Sequence, residues 1–317
     1  MFIGFKMYTA LGYRPADYKA WGADNAPRLS NMKPFYDRCE KEGTPILCHC
    51  SPGGVYSHDR QIYYDLADSG DHRAYERMLW FDRTTDWYYD HFVRPEAWEP
   101  VLKDFPTLKL CLAHFGGDLW AKWHNSVAAT LQNRTQLAHE TSYMAPMINE
   151  DDIVKEWYDT KKYGKYSWIR QIVDLMEKQK DGVYAHPNFY TDISYHFMAK
   201  HHREFLWLII NHPIVKERVL FGTDWYMTEN DKKSIDAFVS DAKSDIDKMS
   251  KDYFEKTGIY EDLWMTFSRI NPMKFYGLRN VADNYAAGLN ARLSEQAKND
   301  ISPTITKILK IIKESDL

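Results

Sequence analysis

Three residues that can bind a metal ion or transfer a proton each follow a short apolar run. His49 follows Ile-Leu-Cys, His114 follows Leu-Cys-Leu-Ala, and Asp224 follows Leu-Phe-Gly-Thr. Neutral imidazole and carboxylate are suitable ligands for zinc and related divalent ions. In a parallel barrel the carboxyl ends of neighbouring strands converge on one face, so residues far apart in sequence can meet there. The pattern predicts an active site at the strand ends.

The elements that would position these residues alternate along the chain. Each unit has an apolar run of strand character, a polar or glycine-rich turn and a segment of helical periodicity. This alternation favours an α/β fold with a parallel sheet. We predict five strands, at about residues 2–8, 45–50, 108–113, 188–193 and 218–223.

Apolar stripes at helical spacing precede three of these strands, within residues 32–39, 98–105 and 169–176. Gly43 stands where the first helix should end. Asn271 precedes a proline and is expected to be a helix N-cap. Two long connections, at about 51–107 and 114–187, are rich in Trp, Tyr and charge, which favours loop insertions over a site.

Composition excludes several classes of protein. The chain is 44% hydrophobic and 27% charged, which is typical of a folded globular protein. A net charge of −4 with no basic run argues against nucleic acid as a partner. The longest apolar stretch, 205–210, is far too short to span a bilayer, so no membrane association is expected. Residues 1–13 lack the features of a secretory signal, and a cytoplasmic location is expected by default.

Five segments occur in an order that resembles the amidohydrolase-2 type of metal-dependent hydrolase, a group related to aminocarboxymuconate-semialdehyde decarboxylase. They are Pro-Ile-Leu-Cys-His, Leu-Ala-His-Phe-Gly-Gly, Asn-Phe-Tyr-Thr-Asp-Ile-Ser, Leu-Phe-Gly-Thr-Asp-Trp and Asn-Pro-Met-Lys-Phe-Tyr-Gly-Leu. The resemblance covers about residues 1–280 and matches the family's strands four to eight. It implies a TIM-type (β/α)8 barrel of which about five C-terminal βα units are visible, followed by a helical extension at 281–317.

The resemblance also implies roles for the three strand-end residues. His49 matches a metal-binding histidine, and His114 matches a histidine that acts on substrate or binds a second metal. Asp224 matches an aspartate that contacts the metal or its water and transfers a proton. A divalent ion, with zinc as the expected one, would activate water to hydrolyse an amide, lactone or ester of a small molecule. Non-oxidative decarboxylation is the alternative within the same family.

Other residues have weaker functional interpretations. The segment around Lys6 resembles one that carries a carboxylated, metal-bridging lysine in some relatives. The alternative is a lysine that pairs with a carboxylate or extends to solvent at the barrel mouth. Arg14 could clamp a substrate carboxylate beside Tyr13, or could be a solvated loop residue. Trp225 would suit a flat substrate, or could pack a loop onto the barrel. Asp192 is expected to be a structural carboxylate buried with a partner.

One feature of the family pattern is missing. The family's first strand carries a His-x-His pair that supplies two metal ligands, and this sequence contains no His-x-His. The chain therefore corresponds to strands four onward, and five strands leave two open sheet edges. We expect the missing strands to lie in a longer parent protein or in a partner chain, or the long insertions to refill the barrel with loss of the metal site. A homo-oligomer formed through the open edges is also possible. The alternative is a catalytically inactive barrel fragment that serves as a binding or assembly module.

Overall fold

The fold is known from a computed structural model that describes part of the chain. The residues described are 3–11, 15–16, 32–51, 61–65, 75–79, 93–117, 168–194, 196–198, 202–225, 228–229 and 234–277. The expected helical extension at 281–317 lies outside them.

A parallel sheet of five strands is the centre of the fold. Its strands lie in the order β1-β2-β5-β8-β9, and each pairs in parallel with the next. Their bounds are Phe5–Met7 (β1), Ile46–His49 (β2), Leu110–Ala113 (β5), Phe189–Asp192 (β8) and Val219–Leu220 (β9). All five predicted strands are confirmed. As described, the sheet is open, with β1 and β9 at its two ends.

Two antiparallel hairpins were not predicted. One pairs Gln61–Asp65 (β3) with Tyr75–Leu79 (β4), and the other pairs Gln179–Lys180 (β6) with Val183–Tyr184 (β7). Both mix polar and aromatic residues, so they lack the apolar run that identified the other strands. The dipeptide Asp181-Gly182 is a sequence signal of a two-residue hairpin turn. Both residues have positive φ, as such a turn requires.

Helices flank the sheet and follow the predicted apolar stripes. The first, Met32–Glu42, ends at Gly43, which has a φ of 64°. The helices are Met32–Glu42 (α1), Glu99–Asp104 (α2), Trp168–Glu177 (α3), His202–Asn211 (α4), Pro213–Lys216 (α5), Ile235–Thr257 (α6), Leu263–Met265 (α7) and Asn271–Tyr276 (α8). No helix of the described segments is long and apolar enough to cross a membrane.

The expectation that Asn271 caps a helix N-terminus is wrong. A π-helical segment, Thr266–Ile270, runs directly into α8, so Asn271 lies within continuous helical backbone rather than at a helix start. Its side-chain amide instead donates to the carbonyls of Lys216 and Val219, both at 2.8 Å. Asn271 therefore ties α8 to the start of β9.

The central strands β5 and β8 are buried on both faces, which is why their sequences are apolar runs rather than alternating patterns. The main core lies between one face and the helices, and it includes Ile46, Leu110 and Leu112. Alternate residues form a smaller cluster on the other face, with Cys111 and Tyr190 at its centre. The strand-end residues lie where these two layers meet the carboxyl edge of the sheet.

Candidate active site

The structure brings His49 and His114 together at the carboxyl edge of the sheet. His49 ends β2 and is paired in register with Ala113, the last residue of β5. His114 directly follows Ala113. The two side chains are buried, with 7% and 8% of their surface exposed. Their ring centroids are 4.9 Å apart, in an edge-to-face arrangement. Two imidazoles from neighbouring strands thus share one buried site.

His49 contacts two polar residues that the sequence did not single out. The hydroxyl of Ser51 lies 3.1 Å from Nε2 of His49. The ring of Tyr8 stacks on the imidazole, with centroids 4.4 Å apart. Tyr8 follows β1 at the level of His49, because Met7 is already paired with Cys48. Knowledge of this register would have been needed to identify Tyr8.

His114 is held through both its main chain and its ring. Its N–H donates to Oδ1 of Asp192 at 2.9 Å, and its Nδ1 lies 2.9 Å from the Ser194 hydroxyl. Nε2 of His196 lies 2.6 Å from the carbonyl oxygen of His114. His114 and Phe115 have φ values of 66° and 39°, a left-handed conformation that is costly for residues other than glycine. These contacts hold that turn in place.

Asp192 is a buried carboxylate with several partners, in agreement with the structural role expected for it. Besides the N–H of His114, its Oδ1 accepts from the backbone N–H of Ser194 at 3.0 Å and from the Ser194 hydroxyl. Its Oδ2 lies within weak hydrogen-bonding distance of the Cys111 thiol, at 3.9 Å. Asp192 therefore links β5 and β8 directly beneath His114.

Asp224 lies at the end of the segment that follows β9. It is partly exposed and has a φ of 48°. Its carbonyl accepts from the N–H of Thr228 at 3.1 Å, which holds the turn. Within the described ranges, no group of three or more His, Cys, Asp or Glu side chains lies close enough to hold an ion.

The weaker candidates are placed differently. Lys6 is exposed and is paired with Leu47, two residues before His49, whereas Tyr8 is at the level of His49. Trp225 directly follows Asp224 and is 63% exposed. Tyr13 and Arg14 lie outside the described residues.

The thiols of Cys48, Cys50 and Cys111 are buried near the candidate site. Burial raises the pKa of Cys48 to about 11 and raises that of Cys50 well above its usual value. Burial, followed by the charge of Asp192, does the same for the pKa of Cys111. Burial therefore favours the protonated thiol at all three cysteines. The imidazoles of His49 and His114 and the carboxylate of Asp224 are the candidate donors.

The donor types fit a divalent ion, and the described residues supply part of a ligand set. Imidazole nitrogen is a common ligand of zinc, and catalytic zinc sites use three protein ligands. His49 and His114 provide two nitrogens in one buried place. No third His, Cys, Asp or Glu side chain is grouped with them within the described residues.

In parallel α/β barrels the residues that follow the strands' carboxyl ends carry the chemistry, and His49 and His114 hold such positions. A family model described as Amidohydrolase matches residues 2–257, and the chain belongs to this family. The family has a TIM-type barrel, generally binds divalent metals, and supports a function of the metal-dependent hydrolase or decarboxylase type. No curated protein and no solved structure matches the chain.

Proposed function

We propose that this protein is a metal-dependent hydrolase that acts on an amide, lactone or ester bond of a small molecule. One observation carries the proposal: two buried imidazoles, His49 and His114, meet at the carboxyl edge of a parallel sheet. This edge is where barrel enzymes carry their catalytic residues. Membership of the amidohydrolase family supports the same reaction class.

Each strand-end residue has a proposed role. His49 and Asp224 would hold the ion, which we expect to be zinc. His114 would bind a second metal or face the substrate, and Asp224 would accept a proton at the strand end. A bound divalent ion supplies a water of lowered pKa. The bridging role of a carboxylated Lys6 stays a prediction.

Substrate contacts are proposed for Trp225, Tyr13 and Arg14. Trp225, exposed and adjacent to Asp224, offers a flat apolar surface. Tyr13 and Arg14 follow β1, and the guanidinium would pair with a substrate carboxylate. A small molecule with a flat ring and a carboxylate would suit this set.

The test is metal content per chain, measured by plasma mass spectrometry on protein purified without chelator. Wild type should carry close to one zinc, manganese or iron per chain, and a His49→Ala, Asp224→Ala double variant should lose it. A matched control is His186→Gln, which changes a buried histidine that precedes β8 at the opposite end of the strand. The control should keep its metal.

Equal metal content in wild type and in the double variant would overturn the proposed ligand set. No metal in wild type, even after incubation with zinc, would mean that this chain alone does not form the hydrolase site. That result would favour the second candidate, a binding or assembly module, which the open five-stranded sheet of the described residues supports.

A further inference from the structure

A chain of hydrogen bonds runs from Asp192 through Ser194 to the ring of His114. Oδ1 of Asp192 accepts from two backbone N–H groups, those of His114 at 2.9 Å and Ser194 at 3.0 Å. An oxygen that accepts from two fixed donors carries no proton of its own. The Ser194 hydroxyl, in close contact with the same oxygen, must therefore donate its one proton to it.

The direction of this bond decides which ring nitrogen of His114 carries the proton. Since the Ser194 hydrogen points at Asp192, the hydroxyl can only accept from Nδ1 of His114, which lies 2.9 Å away. Nδ1 is thus the protonated nitrogen of the neutral ring. Nε2 is left with a bare lone pair, and no described residue is hydrogen bonded to it.

Contacts from His196 and Gly222 help to fix the positions of His114 and Ser194. Nε2 of His196 contacts the carbonyl of His114, so the histidine is held at its N–H, its carbonyl and its ring. Gly222, in the segment after β9, leaves space for Ser194: a Cβ at Gly222 would lie 3.0 Å from the Cβ of Ser194. The glycine of Gly-Thr-Asp therefore has a role in placing Ser194.

His49 is held differently. Its Nε2 lies 3.1 Å from the Ser51 hydroxyl, and no carboxylate is bonded to that serine within the described part of the chain. A serine hydroxyl without a fixed acceptor can either donate or accept, so the contact with Ser51 does not by itself select a tautomer of His49. Each serine therefore contacts one of the two histidines, but only Ser194 is itself bonded to a carboxylate.

We infer that Ser194 is a positioning residue that, together with Asp192, locks His114 in the Nδ1–H tautomer. The unprotonated Nε2 then offers its lone pair to a metal ion or to a hydrogen-bond donor of the substrate. The tautomer follows from the hydrogen bonds alone and holds whether or not a metal binds. Only the use of Nε2 rests on the proposed function. The lock and the function can therefore fail separately.

The test is the ring-nitrogen spectrum of His114 in the full chain, with ring-15N histidine and after dialysis against chelator. Two-bond proton–nitrogen correlations distinguish the two tautomers, and a His114→Gln variant identifies the signal among the 12 histidines. Wild type should show His114 as a single Nδ1–H tautomer. Ser194→Ala should convert it to a mixture or to Nε2–H, with the circular dichroism spectrum unchanged.

Two further variants separate positioning from general structure. Ser51→Ala should leave the His114 tautomer as it is, because it removes the matched hydroxyl from the other histidine. Asp192→Asn should also keep it, since the amide retains an acceptor oxygen at Oδ1. A wild-type His114 protonated at Nε2 overturns the inference without any need for a folded variant, and so does a Ser194→Ala protein whose tautomer is unchanged.

Discussion

At the scale of single residues, some buried polar groups of this protein have hydrogen-bond partners and others have none, and this difference affects stability. Asp192 accepts several hydrogen bonds, and the amide nitrogen of Asn271 donates two, whereas Oδ1 of Asn271 has no partner in the described structure. His186 is 4% exposed, and neither of its ring nitrogens has a hydrogen-bond partner in the described structure. Burial, and after it the charge of Lys178, lowers the pKa of His186, with Arg218 adding to the effect and Glu99 opposing it.

This lowered pKa predicts an acid-sensitive fold. Below the unfolded-state pKa of about 6.5, the unfolded chain binds a proton at His186 that the folded chain does not. The free energy of unfolding should therefore fall as the pH drops from about 6.5 towards the folded-state value, and it should be unaffected by this group above that range. Urea denaturation at a series of pH values measures the slope.

The His186→Gln variant provides the comparison, because glutamine does not titrate. Its free energy of unfolding should fall less steeply with acid than that of wild type, whereas the two proteins should run parallel between pH 7 and 8. Identical slopes below pH 6.5 would show that His186 does not contribute.

At the scale of elements, the short strand β9 depends on contacts from outside the sheet. Val219–Leu220 pairs with only one described strand, β8. Asn271 on α8 donates to the carbonyls of Lys216 and Val219, and the side chain is 1% exposed. The same strand leads to Gly222 and Asp224, so its position affects the candidate site.

Replacing Asn271 by alanine should destabilise the protein by about 2–3 kcal/mol, because two carbonyls beside β9 lose a donor in a buried place. Asn188→Ala is a suitable control. Asn188 donates to the Thr107 carbonyl at 2.7 Å, but at the surface, where water can replace it. Chemical denaturation of both variants gives the comparison, and equal losses would contradict the role of Asn271.

At the scale of the whole molecule, the described sheet has two ends where a closed barrel has none. β1 pairs with β2 alone among the described strands, and its Phe5 is 47% exposed. An exposed, apolar edge strand is a template for pairing with another chain. We expect either a partner chain or a second copy of this chain to meet β1.

Self-association should therefore depend on Phe5. Wild type should sediment as a larger species as its concentration rises, and Phe5→Lys should shift the distribution towards monomer, because a charge on an edge strand opposes pairing. Phe254→Lys changes an equally exposed phenylalanine on α6 and should leave association unaltered. A wild-type monomer at every concentration would contradict self-association through β1.

Much of this protein follows from local sequence. The five strands and the helices before three of them were predicted because a buried parallel strand needs a continuous apolar run and a packed helix needs an apolar stripe. The family was visible in the order of the strand-end motifs, and the family model agrees. The site residues His49 and His114 were visible for the same reason, since each directly follows such a run.

Only the tertiary structure decided how the polar groups pair. Tyr8 stacks on His49 because of strand register, and Ser194 reaches His114 across 80 residues of sequence. Asn271 looked like a helix cap but binds carbonyls more than 50 residues away. Burial and periodicity are properties of a segment, whereas a hydrogen bond between distant segments depends on register and packing, which no single segment contains.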